Sequence, residues 1–585
     1  SGLLKLALCQ MNPTVGNIAS NEAKITEGID DALRAGAQLV LFPELAITGY
    51  PPEDLLLKEH FLRDARQALE RVAAQVHGIV ALVGFPELAD DVYNACAVLG
   101  DGEVQGIYRK MLLPNYGVFD EHRYFQTGTQ GSLLQVGDIT IGLTICEDIW
   151  EPGPPASDEA LAGATVLVNI SASPYHAGKG PERERMLVQR ARDNLAAVAF
   201  CALVGGQDEL VFDGHSLVVD HEGTVIARAS QFEEEMLIAT IDPEGPRGVR
   251  LRDPRHRPAV RRARPAVAMI APPIALPPGS TGAERDAVGG PRGAVGGPIA
   301  ELLEPAEEVY SALVLGLHDY VEKNGFGCVV LGLSGGIDSA LVACIAADTL
   351  GPDRVRAVIM PSPFSSALTQ DDARQLAANL GVETIELPIE PVMDAYEKAL
   401  AEPLEGRPPG ITQENLQARI RGNLLMALSN EFGWLVLTTG NKSEMSVGYS
   451  TLYGDAAGGF AVIKDCSKTR VYELARHRNL RSPTPTIPES IIDRAPSAEL
   501  RHDQRDEDSL PPYSVLDPIL DGYIENDLGR EQLILRGFDP ADVDRVIALV
   551  DRAEYKRRQG PPGIKISVKA FGRDRRVPIT NRYGG

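Results

Sequence analysis

The sequence predicts two α/β domains joined by a Pro/Gly-rich linker, on three observations. Up to about residue 253, short apolar β-like runs alternate with amphipathic stretches, which is the pattern of a layered α/β domain. Composition then changes abruptly, because residues 254–298 pass from Arg-rich sequence into Pro-Pro, Pro-Pro-Gly and two Gly-Gly-Pro triplets that suit neither helix nor strand interior. Beyond it, strand-like and helical segments alternate again from a glycine-rich turn, as in a doubly wound parallel sheet. The expected domains are therefore residues 1–253 and 299–585, with 254–298 as a semi-rigid spacer.

In the first domain, strands are expected at 3–10, 39–42, 79–84, 139–145, 166–170 and 197–204, each a run rich in Val, Ile and Leu. Residues 21–35 and 61–76 place apolar side chains three and four apart with charges opposite, the period of surface helices. In the second, 299–324 reads as helix, 328–333 as a buried strand and 338–350 as helix. Strand 355–360, helix 370–380 and strand 383–388 follow. Residues 496–585 are polar with short helical pieces.

The 585 residues are long enough for two large domains, and 44% hydrophobic with 24% charged side chains describes a chain able to bury sizeable cores. Lys plus Arg number 57 against 81 Asp plus Glu, for a net charge of −24. So acidic a surface repels phosphate backbones and anionic lipid, so neither a nucleic-acid nor a membrane partner is expected. Seven cysteines, widely spaced and without a CxxC pair, suggest neither a disulfide framework nor a zinc site and fit reducing cytoplasm. No apolar run reaches the roughly 18 residues of a transmembrane helix, and the first residues lack the order of a secretory leader.

Cys146 ends a strand-like run and is followed by Glu147 and Asp148, a junction that can expose a thiol; on spacing alone a buried, inert cysteine is the better reading. Its company gives it meaning. Glu44 in LFPEL and Lys110 in YRKMLLP stand just beyond other β-like runs, where side chains of neighbouring strands converge. An acyl-transfer thiol needs a base to take its proton and a cation for the developing oxyanion. These motifs resemble the nitrilase superfamily across nearly all of residues 1–250. The resemblance implies an α-β-β-α sandwich with Cys146 as nucleophile, Glu44 as general base, Lys110 as oxyanion-side cation and the N–H after Cys146 as second oxyanion donor. It also implies an additional acidic residue, Glu121, and in the glutamine-dependent branch a substrate grip by Tyr116, Ser173 and Lys179.

The run LGLSGGIDSAL, residues 331–341, follows a strand and opens a helix, so its glycines allow close approach and the helix start offers N–H groups to an anion. It lacks the Gly-Lys-Ser/Thr ending of a Walker A loop and is not GxGxxG. SGGxDS resembles the pyrophosphate-loop ATPases, which adenylate a carbonyl oxygen and release pyrophosphate. NLQARIRG from Asn415, TTGNKSE from Thr438, GYSTLYGD from Gly448, SLPPY from Ser509 and EYKRR from Glu554 are similar to motifs of the NAD synthetase family.

That likeness implies ATP bound by Gly332, Leu333, Ser334, Gly335, Gly336, Ile337, Asp338, Ser339 and Thr439. Deamido-NAD would meet Asn415, Glu444, Tyr449, Ser450, Thr451, Leu452 and Lys556, with Mg2+ held by Asp338 and Glu444. Lys464, Lys468 and Arg576 are weaker candidates for the triphosphate and stand outside this set. Joined to a glutaminase half, the expected substrates are glutamine, ATP and deamido-NAD. Family likeness implies a homo-oligomer, at least a dimer; separately, because ammonia protonates in bulk water and loses its nucleophilicity, an intramolecular or intersubunit tunnel between the two sites is expected. Two rivals remain at this point: another acceptor, against which NLQARIRG and LPPY argue, and a catalytically silent amino-terminal module, against which Glu44, Lys110 and Cys146 argue.

Overall fold

The computed structural model describes residues 2–262, 267–278 and 295–584. The chain divides into two compact units, residues 1–207 with 212–303, and residues 208–211 with 304–585.

The first unit is built on two sheets. One runs in the order Glu235–Ile241, Leu4–Gln10, Leu39–Leu41, Val80–Leu88, Val92–Gly100, Glu103–Arg109. Leu4–Gln10, Leu39–Leu41 and Val80–Leu88 pair in parallel, and the flanking pairs are antiparallel. The other runs Val225–Arg228, Leu217–Val219, Ala197–Ala202, Val166–Ser171, Ile139–Ile145, Gly131–Val136, Val267–Met269.

Alternation assigns the faces, since successive side chains of a strand point to opposite sides. Leu6, Leu8, Leu39 and Leu41 of the first sheet pack with Ile141, Leu143, Val166 and Val168 of the second in one core between the sheets. Ala7, Val40 and Phe42 face the other way, onto helices Ile18–Arg34 and Glu59–Ala73. On the outer side of the second sheet, Leu167, Val198 and Phe200 meet Ala156 and Leu187 of helices Ala156–Leu161 and Lys179–Asn194. The layers are thus α-β-β-α, as the resemblance implied.

Residues 254–298 depart from the expectation of a plain spacer. His256–Arg262 is helical, and Val267–Met269 extends the second sheet by pairing in parallel with Gly131–Leu133. The Gly-Gly-Pro triplet at 296–298 packs against strands: Gly296 and Thr240 exchange N–H···O bonds of 2.8 and 3.0 Å, and Gly297 N–H donates to Ile226 O at 2.9 Å. A Cβ on Gly297 would sit 2.4 Å from Ile238 O, so glycine here serves close backbone approach. The earlier triplet lies outside the described residues.

The second unit carries a five-stranded parallel sheet in the order Glu383–Glu386, Val355–Ile359, Val329–Gly332, Leu435–Thr438, Phe460–Ala461. Order reverses on either side of Val329–Gly332, and the crevice beyond the carboxyl ends of such strands is where open α/β sheets bind ligands. The helix expected over 299–324 runs Pro305–Lys323, its start set by Pro305 at a first-turn position. Ala367–Leu380 begins where the Ser366 side chain accepts from Thr369 N–H, a cap of about 1 kcal/mol. Residues beyond 496 form short helices around a separate apolar cluster of Leu516, Ile519, Val546 and Val550. Among the described residues no helix is long and apolar enough to cross a membrane, and all seven cysteines are free thiols.

Candidate functional site

In the first unit, Glu44 lies three residues past strand Leu39–Leu41 and is fully buried. Its segment presses onto strand Val80–Leu88 at Gly84, where a Cβ would stand 2.4 Å from Pro43 O. Lys110 directly follows strand Glu103–Arg109, with its own N–H on Asn94 O at 2.8 Å. The buried Lys110 ammonium donates to Glu44 Oε1 at 2.7 Å and to Glu121 at 2.8 and 3.1 Å. Glu44 also accepts from Asn94 Nδ2 at 2.8 Å and from Ala172 N–H at 2.9 Å; Tyr50 OH donates to Glu121 at 2.8 Å. Glu121 therefore belongs to the cluster.

Cys146 ends strand Ile139–Ile145 and stands before the short helix Glu147–Trp150. Its φ of +44° is in the region non-glycine residues avoid, a strained junction of the kind found at active sites. The helix start leaves Glu147 N–H without an intrahelical acceptor. Ser171 Oγ lies 3.4 Å from the Sγ. Burial pushes the thiol pKa well up and the Glu44 charge adds to it, while the Lys110 ammonium acts the other way. The resting thiol is protonated, so attack requires a base. Lys110 stays charged despite burial because Glu121 and Glu44 flank it. Burial and Glu44 lift Glu121 above the usual carboxylate range against the pull of Lys110.

Tyr116 is 59% exposed and donates to both oxygens of Glu147 at 2.9 Å. Lys179 opens helix Lys179–Asn194, donates to Pro174 O at 2.9 Å and lies 5.4 Å from the Trp150 ring centre. Burial, with Arg183 adding to it, lowers its pKa to about 8. Both sit close enough to Cys146 that its thiolate form would raise their pKa values. Ser173 is buried in the turn that follows strand Val166–Ser171, next to the Ala172 N–H that holds Glu44.

In the second unit, residues 332–339 join strand Val329–Gly332 to helix Ile337–Leu350 and line a cavity of about 440 Å³. Gly335 has φ +85°, and a Cβ there would stand 2.2 Å from Thr369 O. Ser334 N–H donates to Ser339 Oγ, and Gly336 N–H to Ser334 Oγ, each at 3.2 Å, closing the loop on itself. Thr439, Asn415, Glu444, Tyr449, Ser450, Thr451 and Lys556 line the same cavity. Leu452 stands beside it, its carbonyl accepting from Arg419 at 3.0 Å. Lys556 Nζ donates to Gly448 O and Ser450 O at 2.8 Å, and Thr451 Oγ1 to Asn415 Oδ1 at 2.9 Å, so the 448–452 turn is held from two sides.

Asp338 pairs with Lys468 Nζ and accepts from Asn441 Nδ2 at 2.9 Å. Burial and the charges of Asp338 and Asp506 raise Glu444 well above the carboxylate range, against Lys468. Lys464 and Lys468, left outside the expected set, both line the cavity. Arg421 does as well, where burial lowers its pKa to about 10. Arg421 and Asn441 sit inside the motifs quoted above, but which side chains of a motif turn inward depends on packing that sequence alone does not show.

Two family models match, carbon-nitrogen hydrolase over residues 5–250 and NAD synthase over residues 309–560. Curated relatives described as glutamine-dependent NAD(+) synthetases include one from Thermotoga maritima, 48% identical with 99% of each chain covered. Another from Aquifex aeolicus is 46% identical over 99% of this chain and 100% of its own. The solved glutamine-dependent NAD+ synthetase of Acinetobacter baumannii aligns over 99% of each chain at TM-score 0.73 and 41% identity. This chain belongs to the glutamine-dependent NAD(+) synthetase family.

Proposed function

We propose that the chain amidates deamido-NAD to NAD with ammonia released from glutamine at Cys146, the acceptor being activated by ATP in the second unit. The observation that carries the first half is the buried Lys110 ammonium held by Glu44 and Glu121 beside a strained cysteine. Glu44 takes the thiol proton as the sulfur attacks the carboxamide carbon, and Lys110 with the Glu147 N–H steadies the oxyanion. Collapse expels ammonia, with the proton returned through Glu44. Water then cleaves the thioester to glutamate. Lys179, Tyr116 and Ser173 grip the amino-acid end of glutamine.

In the second unit the phosphates of ATP rest on residues 332–339, a reading supported by the free N–H groups of a helix start at a sheet crevice and by the Acinetobacter relative, whose solved complex holds ADP. The nicotinate carboxylate attacks the α phosphorus and pyrophosphate leaves. Ammonia attacks the acyl adenylate, and AMP and a proton are released. Asn415, Tyr449, Thr451 and Lys556 hold the deamido-NAD. Asp338 and Glu444 suit Mg2+: Asp338 belongs to the phosphate loop and Glu444 lines the same cavity, both with hard oxygen donors, and the Asp338 charge raises Glu444 despite the Lys468 ammonium that pairs with Asp338. Two carboxylates would leave the remaining positions of an octahedral ion to water and substrate phosphates. When bound, Mg2+ supplies positive charge to the polyphosphate.

We also infer a homo-oligomer, at least a dimer, supported by Met426 and Phe432 exposed on one helix, Ile411–Phe432, and a reducing compartment, supported by seven free thiols. The test incubates the protein with deamido-NAD, ATP, Mg2+ and glutamine and follows NAD, glutamate, AMP and pyrophosphate. All four form together, and a chelator stops NAD synthesis. AMP without NAD would refute the assigned acceptor or nitrogen source.

A further inference from the structure

One buried carboxylate beside this site serves no step above. Asp148 is 0% exposed, and its two oxygens accept four hydrogen bonds. Oδ2 takes Tyr108 OH at 2.6 Å and Ile145 N–H at 2.9 Å; Oδ1 takes Met111 N–H at 3.1 Å and Leu112 N–H at 2.9 Å. A carboxylate has about four acceptor positions, and all are used. The donors are not scattered. Tyr108, Met111 and Leu112 bracket Lys110 at the end of a strand of the first sheet, and Ile145 immediately precedes Cys146 at the end of a strand of the second.

We infer that Asp148 is a positioning residue that sets the spacing between the Lys110 ammonium and the Cys146 sulfur by bonding the backbone on both sides of that gap. The inference rests on the roles given to Lys110 and Cys146 above. Glu44 is tied across the sheets in a parallel way, by Ala172 N–H at 2.9 Å. Lys110 has its own N–H on Asn94, within its own sheet, so Asp148 supplies its registration against the nucleophile. Burial raises the Asp148 pKa to about 6, while Tyr108 OH, the two backbone N–H groups of Ile145 and Leu112 and the Lys110 charge favour the ionised form. At neutral pH the carboxylate that all four donors require is therefore present.

Asparagine cannot reproduce this pattern, since one of its two ends is an NH2 that must face N–H donors. The test compares full-length Asp148→Asn and Tyr108→Phe with Cys146→Ala, measuring glutamine-driven and ammonia-driven NAD formation. Displacement of catalytic groups by about 1 Å costs on the order of 100-fold in rate. Asp148→Asn is expected to lower the glutamine-driven kcat by about that factor, with KM for glutamine changed less than about threefold and the ammonia-driven rate less than about twofold. Tyr108→Phe keeps three of the four bonds and is expected to lose about tenfold in the same parameter. If Asp148→Asn does not fold, Tyr108→Phe decides alone. Glutamine-driven kcat within about threefold of the parent in the folded variants, with Cys146→Ala inactive on glutamine, overturns the inference, as does an ammonia-driven rate that falls in step. Glutamine-driven synthesis by Cys146→Ala would instead remove the reading of the nucleophile on which the inference stands.

Discussion

Replacing Gly335 by Ala puts a methyl group where the pyrophosphate loop passes helix Ala367–Leu380. The new Cβ would lie 2.2 Å from Thr369 O and 2.8 Å from Thr369 C, both backbone atoms that no rotamer change can move. Relief requires the loop or the helix to shift by roughly 1 Å, and the +85° φ adds about 1–2 kcal/mol of its own for an L residue. Where the loop takes the shift, the N–H groups meant for the phosphates move with it. A misplacement of that size is worth about 100-fold in rate, or about 2.7 kcal/mol of barrier. The assay is NAD formation from deamido-NAD and ATP with ammonia as the nitrogen source, which isolates the second unit's chemistry. A Gly335→Ala kcat/KM for ATP within about threefold of the parent would refute the placement of the phosphates on this loop.

Other expectations concern the first unit. Lys179 titrates near pH 8, charged below and neutral above. If it meets the glutamine carboxylate, KM for glutamine rises above pH 8 by up to about tenfold per pH unit, and Lys179→Arg removes the rise; a KM profile unchanged by that substitution contradicts the contact. Glu121→Gln leaves the buried Lys110 with one carboxylate. Glu44 still pairs with the ammonium at 2.7 Å, so the variant folds with a lowered thermal midpoint, and the glutamine-driven kcat drops at least about tenfold while ammonia-driven synthesis persists. Full glutamine-driven activity in this variant would place Glu121 outside the machinery.

Much of the fold is legible in the sequence. Apolar runs such as 139–145 and 166–170 became central strands because both faces are buried, so hydrophobicity alone marks them. The edge strand Glu103–Arg109 was not read from its residues, because it is half-exposed and carries a mixed pattern. At the site, short motifs placed Glu44, Lys110 and Cys146, and the 332–339 loop, since each requires particular residues at adjacent positions. What stayed hidden depends on distant partners. Asp148 stands two residues after Cys146, but its donors lie 36 to 40 positions away or at the preceding strand end. Lys468 meets Asp338 across 130 positions. The Gly-Gly-Pro triplet at 296–298 reads as spacer until strands are seen beside it.

The most direct measurement compares Cys146→Ala with the parent in NAD synthesis, once with glutamine and once with ammonia as nitrogen donor. Glutamine-driven synthesis vanishes because the thioester cannot form, and ammonia-driven synthesis continues because ATP and deamido-NAD react in the second unit. NAD formation from glutamine by the variant, or loss of both activities in a folded protein, would contradict the division of chemistry between Cys146 and the pyrophosphate loop.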